Sequence, residues 1–405
     1  MSDERKILSG AFLRGERWYA VFRNMNDIEE TDFGSLEAYE NFRHITGIED
    51  KDACGKGFVY GPSAGGLIET IRFRMRTDGE RIEDISPDFS YKSRHLSISG
   101  LEPEAALLRV ERLNGFHSAA YSTLFCRTVE EIHSIDVSRE TQFARIIMCE
   151  LERIASHLYV VGRLCEAASQ NVATSHVCVL REKVLRIISR RFGHRYFFGV
   201  NSIGGISRKL NLAGIEKEIN AVADEFCDIW DHLQMSTIFI DRIQNTCTVN
   251  REWTVGPVAR ASGFPTDERW KGKLLPYNEL SFKYILEYNG DSLSRALVRS
   301  QEISESAAII DQACGEAEGV QPSVPHRSDA GMSTGEYLGR IESPGGEIVL
   351  WLSEELGRIK YGYIRGPSLA NLPAFISGIR GSVFTDFSFG WESFGMWVAE
   401  MGGLQ

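Results

Sequence analysis

His117 and Tyr121 are four residues apart in the run Asn114-Gly115-Phe116-His117-Ser118-Ala119-Ala120-Tyr121, so on a helix they share one face. An imidazole beside a phenol can relay a proton near neutral pH. The same pair can equally pack and hydrogen-bond inside a core without any turnover, and both readings stand at this point. A second group, Glu150, Glu152, Arg153 and His157, has the pattern of an ion-pair network satisfied along one helix. The eight cysteines, Cys54, Cys126, Cys149, Cys165, Cys178, Cys227, Cys247 and Cys314, include no C-x-x-C. With no secretory signal at Met1-Ser2-Asp3-Glu4-Arg5-Lys6, they read as reduced, small apolar residues rather than a disulfide framework.

The elements that must position these groups follow from periodicity. Leu67 to Arg76 alternates with period two, Leu67, Glu69, Ile71, Phe73 and Met75 against Ile68, Thr70, Arg72, Arg74 and Arg76, which predicts a strand with one wet face. Thr77-Asp78-Gly79-Glu80 supplies a turn after it. Helical stripes follow: Phe143, Ile147, Leu151, Ile154, Leu158 and Val161; then Val177, Leu180, Val184 and Ile187, with Gly193 as a stop. Two more run through Ile215, Ile219, Val222, Phe226 and Leu233 and through Leu293, Leu297, Ile303, Ala307 and Ile310. Glu104 to Ile132 reads as a fifth helix, and together these predict a bundle. Asn250 to Asn289, with its Gly, Pro and Trp, reads as loops over that bundle, and Glu347 to Leu352 with Ile359 to Ile364 as strands about a turn at Glu354-Glu355-Leu356-Gly357.

The chain has 405 residues, 43% hydrophobic and 25% charged, with a formal net charge of -11. That balance suits a globular protein and works against nucleic-acid binding, which needs a dense basic face. The local exception, Arg181, Arg186, Arg190, Arg191 and Arg195, reads as a solvated or subunit-facing helix surface. No apolar run is long enough to span a bilayer, so a soluble or peripheral chain is expected.

Several segments, in order, resemble the superfamily that unites the nickel-iron hydrogenases with the 49-kDa subunit of respiratory complex I, above all its membrane-associated hydrogenase branch. Gly61-Pro62, Glu69 and Phe73-Arg74 resemble G-P…E…F-R; Tyr91-Lys92-Ser93-Arg94 resembles Y-x-H-R. Glu111-Arg112-Leu113-Asn114-Gly115-Phe116-His117-Ser118 resembles E-R-x-C-G-x-C-S, the first active-site motif, with Glu130 as the acid that follows. Glu150 to Leu158 resembles E-L-x-R-I-x-S-H-L, Gly256 to Gly263 resembles G-P-x-A-R-x-S-G, and Gly290 to Glu302 resembles G-D-x-x-x-R-x-x-V-R-x-x-E. Glu342 to Glu347 and Arg365 to Ser368 resemble E-x-P-R-G-E and R-x-P-S. The likeness runs from about residue 58 to about residue 391.

This resemblance implies an α+β fold: a long-helix bundle core, an N-terminal β-sheet element, and a C-terminal β-hairpin and tail that close the cavity. The regions expected are 1–100, 101–320 and 321–405. The two cysteines of the first motif fall on Asn114 and His117, and the second motif, D-P-C-x-x-C, best fits Asp386-Phe387-Ser388-Phe389-Gly390-Trp391, with Ser388 and Trp391 at its cysteine positions. A nickel-iron centre needs soft thiolates, two of them bridging, and no cysteine follows Cys314, so hydrogen activation there is excluded. Ala64, Ser93 and Gly345 also replace residues that relatives carry around the quinone site.

The candidate catalytic residues are His117, Tyr121 and Asp386; Asn114, Ser388, Trp391 and Arg365 are the candidate acceptor- or cofactor-contacting residues, with Glu69 nearby. A metal site would need more ligands than His117 and Asp386 supply. The expected role is that of a large subunit in a membrane-associated, complex I-like oxidoreductase. It would lie peripherally on the cytoplasmic side, beside an iron-sulfur small subunit holding a four-iron four-sulfur cluster, a ferredoxin-like subunit and membrane-arm subunits. No cofactor of its own is expected; quinone is the candidate ligand, NADH:quinone chemistry the alternative activity, and a substrate-free scaffold coupling an iron-sulfur arm to a membrane pump the alternative from another class.

Overall fold

The computed structural model describes residues 7–14, 17–23, 28–32, 34–35, 57–250, 253–271, 274–322 and 334–402. Cys54 lies outside the described residues. The fold is α+β, with antiparallel three-stranded sheets at both ends of the chain around a bundle of long helices.

At the amino end β1 (Ile7–Arg14), β2 (Arg17–Arg23) and β3 (Ile28–Asp32) form one sheet, and β4 (Gly57–Tyr60), β5 (Arg72–Asp78) and β6 (Arg81–Asp88) a second. The period-two run therefore becomes a regular strand only from Arg72. Its alternation survives upstream as burial: Glu69, Ile71, Phe73 and Met75 point inward while Ile68 and Thr70 face out. Gly79, at φ +57°, makes the turn to β6.

The predicted fifth helix is broken in two, α1 (Pro103–Val110) and α2 (Ser118–His133), with a single 3₁₀ turn at Gly115–His117 between them. Asn114 causes the break: its backbone is extended, and its side chain accepts from the Phe116 N–H at 3.0 Å, a local bond that competes with helix continuation. Next come α3 (Arg139–Ala167), α4 (Asn171–Phe192), the two-stranded ribbon β7 (Asn201–Ser202) and β8 (Gly205–Ile206), α5 (Ile215–Gln234) and α6 (Thr237–Ile243). Ser138 and Asp291 cap α3 and α8 (Ser292–Glu316) through their side chains, and Gly193, at φ +75°, ends α4. Among the described residues the loop region carries the short helix α7 (Gly256–Arg260) and two 3₁₀ turns.

The predicted stripes on α3, α4 and α5 are buried against one another and against α8, where Ile303, Ala307 and Ile310 are buried and Leu293 and Leu297 half-buried. The predicted carboxyl hairpin is a three-stranded sheet in the order β11–β10–β9, because β9 (Gly335–Ser343) joins β10 (Gly346–Glu355) and β11 (Arg358–Arg365). Then α9 (Pro367–Ile379) and α10 (Phe387–Phe394) pack a second core beneath β5 and β6, and a tail ends in the 3₁₀ turn Val398–Met401.

In the basic run on and just after α4, Arg186 and Arg195 pair with Glu182, and Arg190 and Arg191 with Glu218, whereas Arg181 lies over the Phe116 and Tyr159 rings. Among the described cysteines all are free; Cys126, Cys149, Cys165 and Cys247 are buried, whereas Cys178 and Cys227 are exposed.

Candidate functional site

The break before α2 sets the site. It turns Asn114 and His117 inward at the start of α2, with Tyr121 one turn further along. The carboxylate they meet is Glu400, from the 3₁₀ turn of the tail. Its Oε2 accepts from Asn114 Nδ2 at 2.9 Å, His117 Nδ1 at 3.1 Å and Tyr121 Oη at 3.1 Å. Its Oε1 accepts from the Ser368 backbone N–H at 3.0 Å and from the Ser368 hydroxyl. The Ser368 hydroxyl in turn accepts from the Trp397 N–H at 2.8 Å, tying the tail to the start of α9.

His117, Tyr121 and Glu400 are fully buried, and Asn114 nearly so. Burial alone would push the Glu400 carboxyl up, but His117 and the donors around it outweigh that and hold it below the ordinary carboxylate range. The Tyr121 hydroxyl is driven the other way, far up, by burial and by the adjacent Glu400 charge. His117 Nε2 is buried with no hydrogen-bond partner among the described residues.

Two glycines make room for this group. A Cβ on Gly345 would sit 3.1 Å from His117 Cε1 and 2.9 Å from Pro367 Cγ, and one on Gly366 would sit 2.6 Å from Tyr121 Oη and 3.0 Å from Glu400 Cδ. Gly345 stands where the motif it resembles carries arginine, and a side chain there would press on the imidazole.

The other sequence-derived candidates are placed apart from this group. Asp386 is partly exposed on the turn before α10; burial raises its carboxyl against the opposing pull of Arg242, and no hydrogen bond joins it to His117. Ser388 is half-buried on α10, and Trp391 packs edge-on to Phe73 and Phe375 in the second core. Arg365, buried, gives its Nη2 to Glu347 Oε2 at 2.8 Å, and reaches the group only through its neighbour Gly366. Glu69 holds the tail from outside, accepting from the Val398 N–H at 2.9 Å and from Lys92 Nζ at 2.6 Å.

The carboxyl-terminal pair that meets Asn114 and His117 is therefore Trp397 and Glu400, three apart like the first pair, and not Ser388 and Trp391. Trp397 stacks on Phe116, centroids 3.9 Å apart, and stands edge-on to His117 at 6.4 Å. Sequence reasoning missed Glu400 because it stopped at residue 391. The six-residue spacing of the second motif can also be laid on Gly395-Met396-Trp397-Val398-Ala399-Glu400, and a lone acid in that apolar tail was the signal. On either placement the donor set is wrong for nickel: an amide, an imidazole, an indole and a carboxylate supply no bridging thiolate. Among the described residues no group of His, Cys, Asp and Glu gathers as a metal site.

Behind the site the helix α3 splits its charges. Glu150 pairs with Arg153 at 3.1 Å and Arg269 at 3.3 Å, and His157 Nε2 donates to Glu302 at 2.7 Å, the satisfied network expected. Burial lowers His157 to about 3. Glu152 faces the other way, accepting from the backbone N–H groups of Ala119 at 2.7 Å and Ala120 at 3.1 Å at the start of α2, with no ion pair among the described residues. Burial pushes it up to about 8 despite those donors.

Comparison with known proteins agrees with this architecture. Residues 172–330 match the family described as the respiratory-chain NADH dehydrogenase 49-kDa subunit. The membrane-bound hydrogenase subunit alpha of Pyrococcus furiosus is 27% identical, over 81% of this chain and 82% of that one. An NADH-quinone oxidoreductase subunit of Herpetosiphon aurantiacus is 28% identical, over 80% of this chain and 92% of that one. A chain of the membrane-bound sulfane sulfur reductase, an archaeal respiratory membrane complex, has the same fold, with a TM-score of 0.79 at 19% identity over 85% of this chain and 98% of that one. The chain is thus similar both to the 49-kDa subunit family of the respiratory-chain NADH dehydrogenase and to a membrane-bound hydrogenase subunit. No described helix is long and apolar enough to cross a membrane.

Proposed function

We propose that this chain is the large subunit of a membrane-associated, complex I-like oxidoreductase, peripheral to the bilayer on its cytoplasmic side. It packs there on an iron-sulfur small subunit, with a ferredoxin-like subunit and membrane-arm subunits completing the assembly. In place of a nickel-iron centre it carries the acid–base group Asn114, His117, Tyr121 and Glu400. The observation that carries this reading is the convergence of two pairs of equal spacing, Asn114 with His117 and Trp397 with Glu400, from distant segments of a chain whose relatives are membrane-bound hydrogenase and NADH-quinone oxidoreductase subunits.

In that role Glu400 fixes the His117 ring through Nδ1, leaving Nε2 as the atom able to take or give a proton when the neighbouring cluster passes an electron to the acceptor. A second reading, the substrate-free scaffold, is favoured by one specific observation: His117, Tyr121 and Glu400 are fully buried, so no quinone ring reaches them in this state.

The test is turnover of the purified complex normalised to assembled, cluster-loaded enzyme. If the group serves proton-coupled reduction, His117→Ala lowers turnover about 100- to 10,000-fold with assembly intact. Unchanged turnover in both His117→Ala and Tyr121→Phe would sink the catalytic reading and leave the scaffold. Failure to co-purify with any iron-sulfur subunit would sink the assembly itself.

A further inference from the structure

A small cleft opens beside the buried group, walled by Ile68 and Glu69, by Tyr159 and Val160 of α3, by Trp391 and Glu392 of α10, and by the tail from Gly395 to Trp397. Its free volume of about 20 Å³ suits one water molecule and nothing larger.

Its polar groups are unusually placed for so small a space. Trp397 is only 6% exposed, and its indole Nε1–H has no hydrogen-bond partner among the described residues, although buried indole donors ordinarily find one. Glu69, itself buried, already accepts from Lys92 and from the Val398 N–H. Glu392 uses Oε1 to accept from Arg163 Nη2 at 3.0 Å, which leaves Oε2 for another donor. The cleft thus offers a buried, unpartnered donor, the Trp397 indole N–H, and spare acceptor capacity on two carboxylates. An anion would meet both carboxylates, and a bare cation would meet the indole N–H. A neutral molecule that accepts once and donates twice fits both demands.

We propose that this cleft is a hydration site holding one ordered water, which accepts from Trp397 Nε1–H and donates to Glu392 Oε2 and Glu69. Trp397 is the wall the water shares with His117, so an exchangeable proton pool stands one side chain from the His117–Glu400 pair. Glu69 also holds the turn that carries Glu400, so the same carboxylate touches both the water and the tail.

The experiment is a crystal structure of the full chain at a resolution that resolves waters, paired with water-to-indole magnetisation transfer on protein labelled with nitrogen-15 at tryptophan. Density within hydrogen-bond distance of Trp397 Nε1, with a water cross-peak on that buried indole proton, is the expected result. Trp397→Phe, which removes the donor, should lose the water. A dry cleft, an indole N–H bonded to a protein atom, or the same water at undiminished occupancy in Trp397→Phe would each overturn the proposal. Should Trp397→Phe fail to fold, the wild-type cross-peak decides alone: its presence supports the site and its absence refutes it.

Discussion

Replacing Glu400 by glutamine tests the physical account of the site most directly, because it keeps the shape and changes only what the side chain can accept. The carboxylate accepts from Asn114, His117, Tyr121, the Ser368 N–H and the Ser368 hydroxyl. A glutamine amide brings two N–H groups into that ring of donors, so at least one buried donor loses its acceptor whichever way the amide is turned. Each group so stranded costs about 1–3 kcal/mol, and Glu400→Gln is expected to lower unfolding stability by about that much at neutral pH. The pH dependence carries the sign. Glu400 is held below its unfolded value, so its contribution is complete above the unfolded carboxyl pKa and is lost as pH falls through the folded one. The gap between wild type and variant should therefore narrow between about pH 5 and lower pH. Urea titration of both proteins at several pH values measures it. Equal midpoints at neutral pH, or a gap that widens on acidification, would show that Glu400 is not the charged hub described here.

Other outcomes follow from the same geometry. Gly345→Ala puts a methyl group 3.1 Å from His117 Cε1 and against Pro367, and should cost about 1–3 kcal/mol by overpacking while shifting the imidazole off Glu400; an unchanged imidazole NMR signal would contradict it. Glu152, pushed up to about 8 by burial, is expected to favour the fold fully below its unfolded pKa and to lose that advantage as pH rises towards 8, so Glu152→Gln should flatten a fall in stability that lies between the unfolded carboxyl value and about pH 8; parallel wild-type and variant profiles would count against this. Elemental analysis of the purified chain should find no stoichiometric nickel, since Asn114, His117, Trp397 and Glu400 cannot form the thiolate set, and one nickel per chain would overturn the reading.

The sequence by itself determined the elements whose cause is local. A stripe at helical spacing must bury one face, so the four long helices and the Gly193 stop could be read directly, as could the Gly79 turn. It also determined what the site cannot do, because donor chemistry belongs to residue type: without cysteine after residue 314 no placement of the tail supplies thiolates. The break at Asn114 was less legible, since one side-chain hydrogen bond to Phe116 decides it against an otherwise helical pattern. Only the tertiary structure decided which residues meet. Strand β9 gains its meaning from the partner β10, and Glu152 and Glu150, two apart on one helix, point to different neighbours. Above all, Glu400 joins Asn114 and His117 across 286 and 283 residues of sequence. The lone acid in an apolar tail marks Glu400 in the sequence but not what it meets; the five donors that make it stable come from Asn114, His117, Tyr121 and Ser368, and folding alone brings them together.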